Sequence, residues 1–289
     1  MLLSVVIPAY NEEKNIGATI HALANELDRN EIPFEIVVAN DNSKDRTEAV
    51  LQELSADDAR VRYINCSPPN GFGRAIRTGL SAARGDYIVV YMADLSDHPD
   101  DVVAYYRKLE EGYDCVFGSR FIEGSKVEDY PRVKYVVNRI VNYSLKWLFW
   151  CKFNDLTNAF KGYRREVIEA CGPYCASHFN ITVEMSLSAL IRNYTITQIP
   201  IKWSGRTWGE SNLRLSAMGR RYMSTFIKVF AERILIHDDV IAEKLSSKRK
   251  SSKSEEVLNY RLVTLEGEIQ EVGSRLAKIE QDENIKKAA

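Results

Sequence analysis

The first 120 residues alternate short apolar runs with segments of helical periodicity. Apolar runs at residues 3–7, 34–39, 61–64, 87–92 and 113–118 predict five strands. Between them, apolar positions spaced three or four residues apart predict helices over residues 15–27, 47–54, 75–83 and 99–109. Near-continuous apolar strands that are joined by helices are typical of a mainly parallel sheet covered on both faces. The predicted fold class is therefore α/β, with a Rossmann-like architecture.

Beyond residue 120 the hydrophobic pattern is less regular, and it predicts several kinds of segment. We expect helices over residues 133–149 and 184–191, a strand over 196–201 and a long amphipathic helix over 215–236. From Leu258 to Ile279 the apolar positions alternate steps of four and three, which favours a coiled coil over a helix docked on the main domain. The predicted boundaries are 1–214 for the α/β domain, 215–245 for an amphipathic helical extension, 246–257 for a polar linker and 258–280 for the coiled coil.

Composition narrows the choice of partners and compartment. The 39 Lys and Arg residues nearly balance the 40 Asp and Glu residues, so the charge does not predict nucleic-acid binding. Among the five cysteines only Cys171 and Cys175 lie close, without the second pair or the histidines of a zinc site. Reduced thiols and a first segment without secretion-signal features predict a cytoplasmic protein. Polar residues interrupt the most apolar long stretch, 135–151, so we expect no membrane-spanning helix.

Carboxylates follow three of the predicted strands. Residues 8–13 read PAYNEE, residues 40–47 read NDNSKDRT and residues 93–97 read ADLSD. Open parallel sheets bind ligands at the carboxyl ends of their strands. Carboxylates there can bind ribose hydroxyls or hold the hard cations that neutralise a diphosphate. The chain has no Walker lysine motif and no G-x-G-x-x-G after the first strand, which disfavours NTPase and dinucleotide-binding functions.

These segments, in this order, resemble a known enzyme family. The resembling stretches are SVVIPAYNEEKNI, IVVANDNSKDRT, NGFGRAIRTGL, GDYIVVYMADLSDHP, VFGSRF, NDLTNAFKGYRREV and NYTITQIPIKWSGRTWGESNL. Together they are similar to the inverting family 2 glycosyltransferases of GT-A fold, in the dolichol-phosphate mannose synthase-like branch. The resemblance covers about the first 210 residues.

The resemblance assigns roles to individual residues. It implies that the nucleotide sugar is held by Pro8, Tyr10, Glu12, Asp41, Ala93, Asp94 and Arg206. It implies that Asp94, with Ser96, binds Mg²⁺ or Mn²⁺ at the donor diphosphate, and that Arg206 acts on that diphosphate during catalysis. Arg120, together with Arg132 or Arg139, is expected to bind the acceptor phosphate.

The chain departs from the family's metal motif. The family's pattern is Asp-x-Asp followed by Gln, whereas this chain reads Met92-Ala93-Asp94-Leu95-Ser96. The thioether of Met92 cannot replace a carboxylate, and the Ser96 hydroxyl is a weaker ligand than an amide oxygen. Asp94 is the one carboxylate in register, with Asp97 nearby as a second. Mg²⁺ often takes only one or two protein carboxylates, so a metal site is still predicted.

The predicted activity is transfer of a sugar from a UDP-sugar or a GDP-sugar to a lipid phosphate such as a polyprenyl or dolichyl phosphate. A phosphate is already ionised at neutral pH, so it needs positioning rather than deprotonation. Transfer to a hydroxyl of a growing surface glycan, such as lipopolysaccharide or capsule, is the alternative, and it needs a general base. Asp155 and Glu184 are the candidates for that base. A third possibility is a catalytically silent scaffold that binds nucleotide sugars, which Met92 motivates.

Two further partners follow from the C-terminal half. The aromatic and cationic residues of 135–151 suit a membrane interface, although a buried core helix is the alternative. The cations of the next amphipathic helix, Arg220, Arg221, Lys228 and Arg233, would attract anionic lipid headgroups. The predicted localisation is peripheral, at the cytoplasmic face of the membrane. The coiled coil over 258–279 predicts a homo-oligomer.

Overall fold

The apolar run that follows Leu2 forms an interior strand of the main sheet. A computed structural model describes residues 1–205 and 219–236. The chain divides into two compact units, Met1–Arg233 and Ile234–Ala289. Of the second unit the structure describes residues 234–236 alone, so the coiled coil over 258–280 and the linker over 246–257 lie outside the described residues and stay predictions.

Strands and helices alternate through the first unit. The strands are β1 Leu3–Ala9, β2 Phe34–Asn40, β3 Val61–Asn65, β4 Tyr87–Val90, β5 Cys115–Ser119, β6 Lys126–Val127, β7 Lys161–Arg164, β8 Ile196–Pro200 and β9 Lys202–Trp203. The helices are α1 Ile16–Arg29, α2 Thr47–Asp57, α3 Phe72–Ala82, α4 Pro99–Glu110, α5 Arg132–Phe149, α6 Arg165–Cys171 and α7 Ile181–Ile191. Residues 219–236 form a further helix, α8, within the predicted amphipathic extension.

Seven of the strands form one sheet in the order β3-β2-β1-β4-β7-β5-β8. The pairs β1–β2, β2–β3, β1–β4 and β5–β8 are parallel, which confirms the predicted mainly parallel α/β sheet. β7 is antiparallel to both β4 and β5. A small second sheet pairs β6 with β9.

Apolar side chains pack on both faces of the sheet. Every residue of β1 and β2 is buried, as expected for strands that are covered on both faces. α1 buries Ile16, Ile20, Leu23 and Leu27 at helical spacing, and α4 buries its own apolar stripe beside it. On α3, Gly79 allows the helix to approach β1, since a Cβ there would lie 2.4 Å from Val6 Cγ1.

Several elements differ from the sequence-based expectation. β7 and α6 were not predicted, and α7 begins at Ile181, three residues before the predicted start at Glu184. The sequence of β7 is KGYR, which lacks the apolar run that indicated the other strands. Burial of β7 comes from its place between β4 and β5, which is a tertiary effect. In the described residues no helix has the length and hydrophobicity needed to cross a membrane.

Candidate active site

Hydrogen bonds of Glu12 stabilise the loop after β1. Its carboxylate accepts a hydrogen bond from Asn15 Nδ2 at 2.7 Å, and its carbonyl accepts from the backbone N–H groups of Asn15 and Ile16. Its own N–H donates to Thr47 Oγ1 at 2.9 Å. Glu12 therefore fixes the start of α1 against α2. Pro8 is buried within β1, and Tyr10 is half-buried just beyond the strand.

Asp41 lies at the end of the neighbouring strand β2. Its backbone N–H donates to Ala9 O at 2.8 Å, and its Oδ2 accepts from Gly71 N at 2.7 Å. Its Oδ1 is buried and has no hydrogen-bond partner within the described part of the chain. Burial raises the pKa of Asp41, and the Gly71 N–H, the Asn42 side chain and the Arg74 charge oppose that rise. A buried carboxylate oxygen without a donor is costly, so this atom is suited to a hydroxyl or N–H of a ligand.

Asp94 follows β4 in a strained turn. Leu95 has φ 58°, a left-handed conformation that is rare for a branched side chain. The turn brings both the N–H and the hydroxyl of Ser96 to Asp94 Oδ1, at 3.2 Å and 2.6 Å. Asn11 and Asn42, after β1 and β2, also have positive φ. Strained residues of this kind concentrate at functional sites, and here each predicted loop has one.

Asp97 is a second carboxylate in the loop that contains Asp94. It is 2% exposed, and its Oδ2 has no partner in the described residues. Burial and the Asp94 carboxylate raise the pKa of Asp97 well above its ordinary value, against the opposing charge of Arg120. The hydroxyl of Tyr91 donates to the Asp97 carbonyl and holds the backbone in place. Sequence reasoning identified Asp97 only as a possible helper, since burial is not visible in a strand-end motif.

A cavity of about 310 Å³ opens beside this loop. Its lining includes Ser96, Asp97, Lys126, Lys202 and Trp203. Ser204 N donates to Ser96 O at 3.0 Å, which ties the loop to the end of β9. The cavity is large enough for a small ligand and places two lysines near the strand-end carboxylates.

The donor set at Asp94 suits one kind of metal site. Within residues 1–205 and 219–236, no three His, Cys, Asp or Glu side chains converge as a metal cage. Asp94 and Ser96 supply one carboxylate and one hydroxyl, both buried, and both are hard oxygen donors. Mg²⁺ and similar cations commonly bind one or two carboxylates together with substrate phosphates and waters. The residues therefore fit a cation that is shared with a diphosphate.

The predicted acceptor arginines are only partly brought together. Arg120, at the end of β5, donates to both oxygens of Asp155, with two contacts at 2.8 Å. Arg139, on α5, lies over the Phe121 ring at 3.9 Å, and Arg120 lies over the same ring at 5.4 Å. Arg132 is exposed at the first residue of α5, apart from this cluster.

Asp155 is fully buried within this cluster. Burial alone would raise the pKa of Asp155, but the charge and hydrogen bonds of Arg120 outweigh it and hold the pKa below its usual value. Because the Asp155 carboxylate is 0% exposed and already binds Arg120, it is better suited to orient the Arg120 guanidinium than to take a proton from an acceptor.

Glu184 is held in a similar way on α7. It is 1% exposed, and its carboxylate accepts from the backbone N–H groups of Cys175 and Ala176. Lys228 of α8 lies 2.5 Å from Glu184 Oε1. These contacts give Glu184 a structural part, since it joins α7 to α8 and to the segment before α7. Arg206 lies outside the described residues, so its role stays a prediction.

Two residues that the sequence did not single out support the Asp155 loop. Asn142 of α5 accepts from Leu156 N at 2.7 Å and donates to Thr157 Oγ1 at 2.9 Å. Lys161 of β7 is buried and donates to the carbonyls of Leu156 and Asn158 at 2.6 Å and 2.5 Å. Burial lowers the pKa of Lys161 to about 7, against the attraction of Asp155. The one available signal was that Asn142 interrupts an otherwise apolar helix face.

Comparison with known proteins decides the family. The model of glycosyl transferase family 2 matches residues 4–172, more than half of the chain. The chain belongs to this family. The match includes the strand-end loops and the Arg120–Asp155 pair, which confirms the resemblance seen in the sequence.

Similar curated proteins share the same region. Glycosyltransferase AglD of Haloferax volcanii is 31% identical over 78% of this chain and 37% of its own length. Dolichol-phosphate mannosyltransferase of Pyrococcus furiosus is 30% identical over 74% of this chain and 60% of its own length. Polyprenol monophosphomannose synthase of Mycolicibacterium smegmatis is 26% identical over 72% of this chain and 80% of its own length. The chain therefore spans less than two thirds of the first two relatives.

Solved structures share the fold. Glucosyl-3-phosphoglycerate synthase of Mycobacterium tuberculosis, in complex with Mn²⁺, UDP and phosphoglyceric acid, superposes with a TM-score of 0.61 and 22% identity. The match covers 79% of this chain and 78% of that one. The GT-A architecture predicted from the sequence is thereby confirmed.

The Arg120–Asp155 pair generates a stability prediction. Asp155→Asn should lower the free energy of unfolding by about 3–5 kcal/mol, because it leaves Arg120 buried without its counter-charge. Asp28→Asn, which removes an exposed ion pair with Arg60, should cost about 0–1 kcal/mol. Urea unfolding of both variants measures these values.

The same pair predicts a pH dependence. The pKa of Asp155 is lower in the folded chain than in the unfolded chain, where it is about 4. The ionised carboxylate therefore stabilises the fold fully above about pH 4, and this stabilisation is lost as the pH falls through the folded pKa. The difference in the free energy of unfolding between the native chain and Asp155→Asn should therefore become smaller below about pH 4. Equal costs for Asp155→Asn and Asp28→Asn at neutral pH would contradict the proposed pair.

Proposed function

We propose that this chain transfers a sugar from a nucleoside diphosphate to the phosphate of a polyprenyl-type lipid, with inversion at the anomeric carbon. Two of the similar proteins are named for mannosyl transfer to dolichol phosphate or polyprenol monophosphate. The observation that carries the proposal is the excess positive charge beside the strand-end carboxylates.

That charge comes from Arg120 and Arg139, which share one aromatic ring. Arg120 is paired with Asp155, whereas Arg139 has no carboxylate within salt-bridge distance in the described part of the chain. Arg139 is half-buried, and burial lowers its pKa despite the nearby Asp155. The cluster therefore keeps one uncompensated guanidinium, and guanidinium groups pair well with phosphate oxygens. The Arg120 charge also acts on Asp97, so the cluster and the Asp94 loop are neighbours.

On the donor side, we assign the nucleoside to Pro8, Tyr10, Glu12, Asp41 and Ala93. The unpartnered Oδ1 of Asp41 supports this assignment, because it can accept from a ribose hydroxyl or a base N–H. Both UDP and GDP offer such donors. Lys126, in the lining of the cavity beside Asp97, would favour an anionic donor, whereas Lys202 is already paired with Asp100 at 2.8 Å.

Asp94 and Ser96 would hold Mg²⁺ or Mn²⁺ against the donor diphosphate. When bound, the cation supplies positive charge that stabilises the leaving diphosphate. Arg206 is proposed to add a second positive charge at the same place. Arg120 and Arg139 would orient the acceptor phosphate for attack from the opposite side of the sugar. The chain's residues thus act mainly by positioning and by electrostatic stabilisation.

Transfer to a glycan hydroxyl is less well supported. That reaction needs a general base with access to the acceptor proton. Asp155 is occupied by Arg120, and Glu184 is occupied by Lys228 and two backbone N–H groups. Neither carboxylate is exposed by more than 1%. A phosphate acceptor has no such requirement, which agrees with the arginine cluster.

A matched pair of acceptors tests the proposal. The full-length chain is incubated with Mn²⁺, radiolabelled UDP- and GDP-sugars, and either a short-chain prenyl phosphate or the corresponding prenyl alcohol. Labelled product should form with the phosphate at least about 10-fold faster than with the alcohol, since the alcohol lacks the group that the arginines bind. Faster transfer to the alcohol or to a glycan would support the hydroxyl alternative.

The same assay tests the residue at the metal site. Asp94→Asn should reduce turnover by roughly 100-fold, the scale of losing one charge-stabilising group, with an unchanged melting curve. Normal turnover in that variant would remove Asp94 from the reaction. Absence of transfer and of donor hydrolysis in the native chain would favour the silent scaffold.

We further propose that α5 docks on a membrane surface that supplies the lipid acceptor. Along α5 the outward positions recur at helical spacing and are exposed apolar residues: Val133, Val136, Ile140, Tyr143, Trp147 and Trp150. Trp147 and Trp150 are 77% and 84% exposed, and Lys146 and Lys152 lie beside them. Tryptophans with flanking cations are typical of helices that lie in the interface of an anionic bilayer.

Vesicle binding tests this surface. Trp147→Ser combined with Trp150→Ser should lower partitioning onto vesicles of phosphatidylglycerol and phosphatidylcholine by at least about 10-fold, because two large apolar side chains no longer enter the interface. Tyr113→Ser, at an exposed aromatic residue outside α5, serves as the matched control. Unchanged partitioning would exclude the proposed surface. A change in oligomeric mass instead would identify the face as a contact between copies.

A further inference from the structure

A second cavity lies away from Asp94 and Arg120, in the half of the unit that contains α8. Its volume is about 410 Å³, and it is lined by residues of α3, the segment 175–180, α7 and α8. The lining side chains that matter here are Arg74, His178, Asn180, Glu184, Arg221 and Lys228. Asp94 and Arg120 do not line it, whereas Glu184 does, and the charge of Arg74 in its lining also acts on Asp41.

The wall formed by residues 175–179 is held firmly on α3. Gly73 N donates to Ser177 O at 3.0 Å. A Cβ at Gly71 or at Gly73 would come within 2.4 Å of a backbone oxygen of this segment, so glycine is needed at both positions. Phe72 and Phe179 stack with ring centroids 4.3 Å apart. The cavity is therefore bounded by backbone that has little freedom to collapse into it.

The charges that line this cavity do not balance. Glu184 is neutralised by Lys228 at 2.5 Å. Arg74 and Arg221 have no carboxylate within salt-bridge distance in the described ranges, and Arg74 donates to the carbonyl of Asn70. Burial and these two arginines lower the pKa of His178, as expected where positive potential is uncompensated. Two guanidinium groups thus face a cavity without a counter-ion.

Asn180 provides an independent sign of a missing partner. It is 6% exposed, and its Nδ2 donates to Thr225 Oγ1 at 2.9 Å. Its Oδ1 is buried without a hydrogen-bond partner in the described residues. Buried amide oxygens are nearly always satisfied, so a ligand with an O–H group would complete this one. The cavity therefore offers two cationic donors and one acceptor.

We propose that this cavity binds a phosphate-bearing ligand at a site separate from the donor diphosphate. Guanidinium groups match the geometry of phosphate oxygens, and a protonated phosphate oxygen or a ligand hydroxyl can donate to Asn180 Oδ1. The volume exceeds that of a phosphate ion, so a small group attached to the phosphate fits as well. This inference goes beyond the proposed transfer reaction and does not depend on it.

The phosphate could come from a soluble ligand or from a lipid headgroup. α8 carries Arg221 and Lys228 on the side of the cavity, while Met223 and Ile227 of the same helix are exposed apolar residues. A lipid phosphate in the cavity could therefore lay its chain along α8. The shared chemistry is the phosphate group, and the experiment distinguishes the two sources.

The test follows the imidazole of His178 by NMR in the full-length chain, at constant ionic strength set with sodium chloride. Adding inorganic phosphate should raise the pKa of His178 by on the order of one unit, because the anion offsets the two arginines. His21, which lines neither this cavity nor the one beside Asp97, is the internal control. His178 resonances that stay fixed up to tens of millimolar phosphate would overturn the proposal.

Charge variants assign the binding to the cavity. Arg221→Gln, and separately Arg74→Gln, should weaken phosphate binding by at least about 10-fold, the scale of one charge-assisted contact. Arg220→Gln removes the same charge from an exposed position on α8 and should change the affinity by less than about 2-fold. An equal effect of Arg220→Gln would contradict the site. Displacement of phosphate by UDP or GDP would instead assign the cavity to the donor site and overturn its separation.

Two ligands distinguish the sources of phosphate. If octyl phosphate, used as a monomer, binds at least about 10-fold more tightly than inorganic phosphate, the alkyl chain contributes apolar contact. Ile227→Ser should then remove that advantage, which would identify a lipid headgroup as the ligand. Equal affinities for the two would identify a soluble phosphate. Both results support the cavity as a phosphate site.

Discussion

The proposed acceptor side of the site depends on the ion pair between Arg120 and Asp155. Asp155 has no exposed surface, so its charge is tolerable only because Arg120 contacts both of its oxygens. The pair joins the end of β5 to the loop before β7. Asn142 and Lys161 hold that loop from α5 and from the sheet. The position of Arg120, which we propose binds the acceptor phosphate, is therefore set by contacts that lie well inside the fold.

The proposed donor side depends on a different constraint, which is that the ends of parallel strands lie side by side. β1, β2 and β4 are adjacent and parallel, so the loops after them lie at one edge of the sheet. Each loop contains a residue with positive φ, and these turns place Asp41 and Asp94 near that edge. The charge of Arg120 acts on Asp97, which lies three residues beyond Asp94. The proposed donor and acceptor sides therefore meet at the loop that contains Asp94 and Asp97.

Much of this arrangement could be predicted from the sequence because it depends on local patterns. The apolar runs of β1, β2 and β4 predicted the strands of the sheet. The carboxylates that follow these runs predicted the edge of the sheet at which a ligand binds. Long-range partners could not be predicted in the same way. Glu184 and Lys228 are 44 residues apart, and Asp155 and Arg120 are 35 apart, so no spacing pattern joins them. Both carboxylates were candidate bases in the sequence, and both are occupied by cations in the structure.

We propose that the strand-end carboxylates form a metal-dependent site for a nucleoside diphosphate. The most direct test is calorimetric titration of UDP and of GDP into the full-length chain, once with Mn²⁺ and once with EDTA. At least one nucleotide should bind roughly 10-fold or more tightly with Mn²⁺, since the cation joins Asp94 to the diphosphate. The matching nucleoside, which lacks the diphosphate, should bind equally well in both conditions. Equal affinities for both diphosphates with and without Mn²⁺ would exclude a metal-dependent diphosphate site.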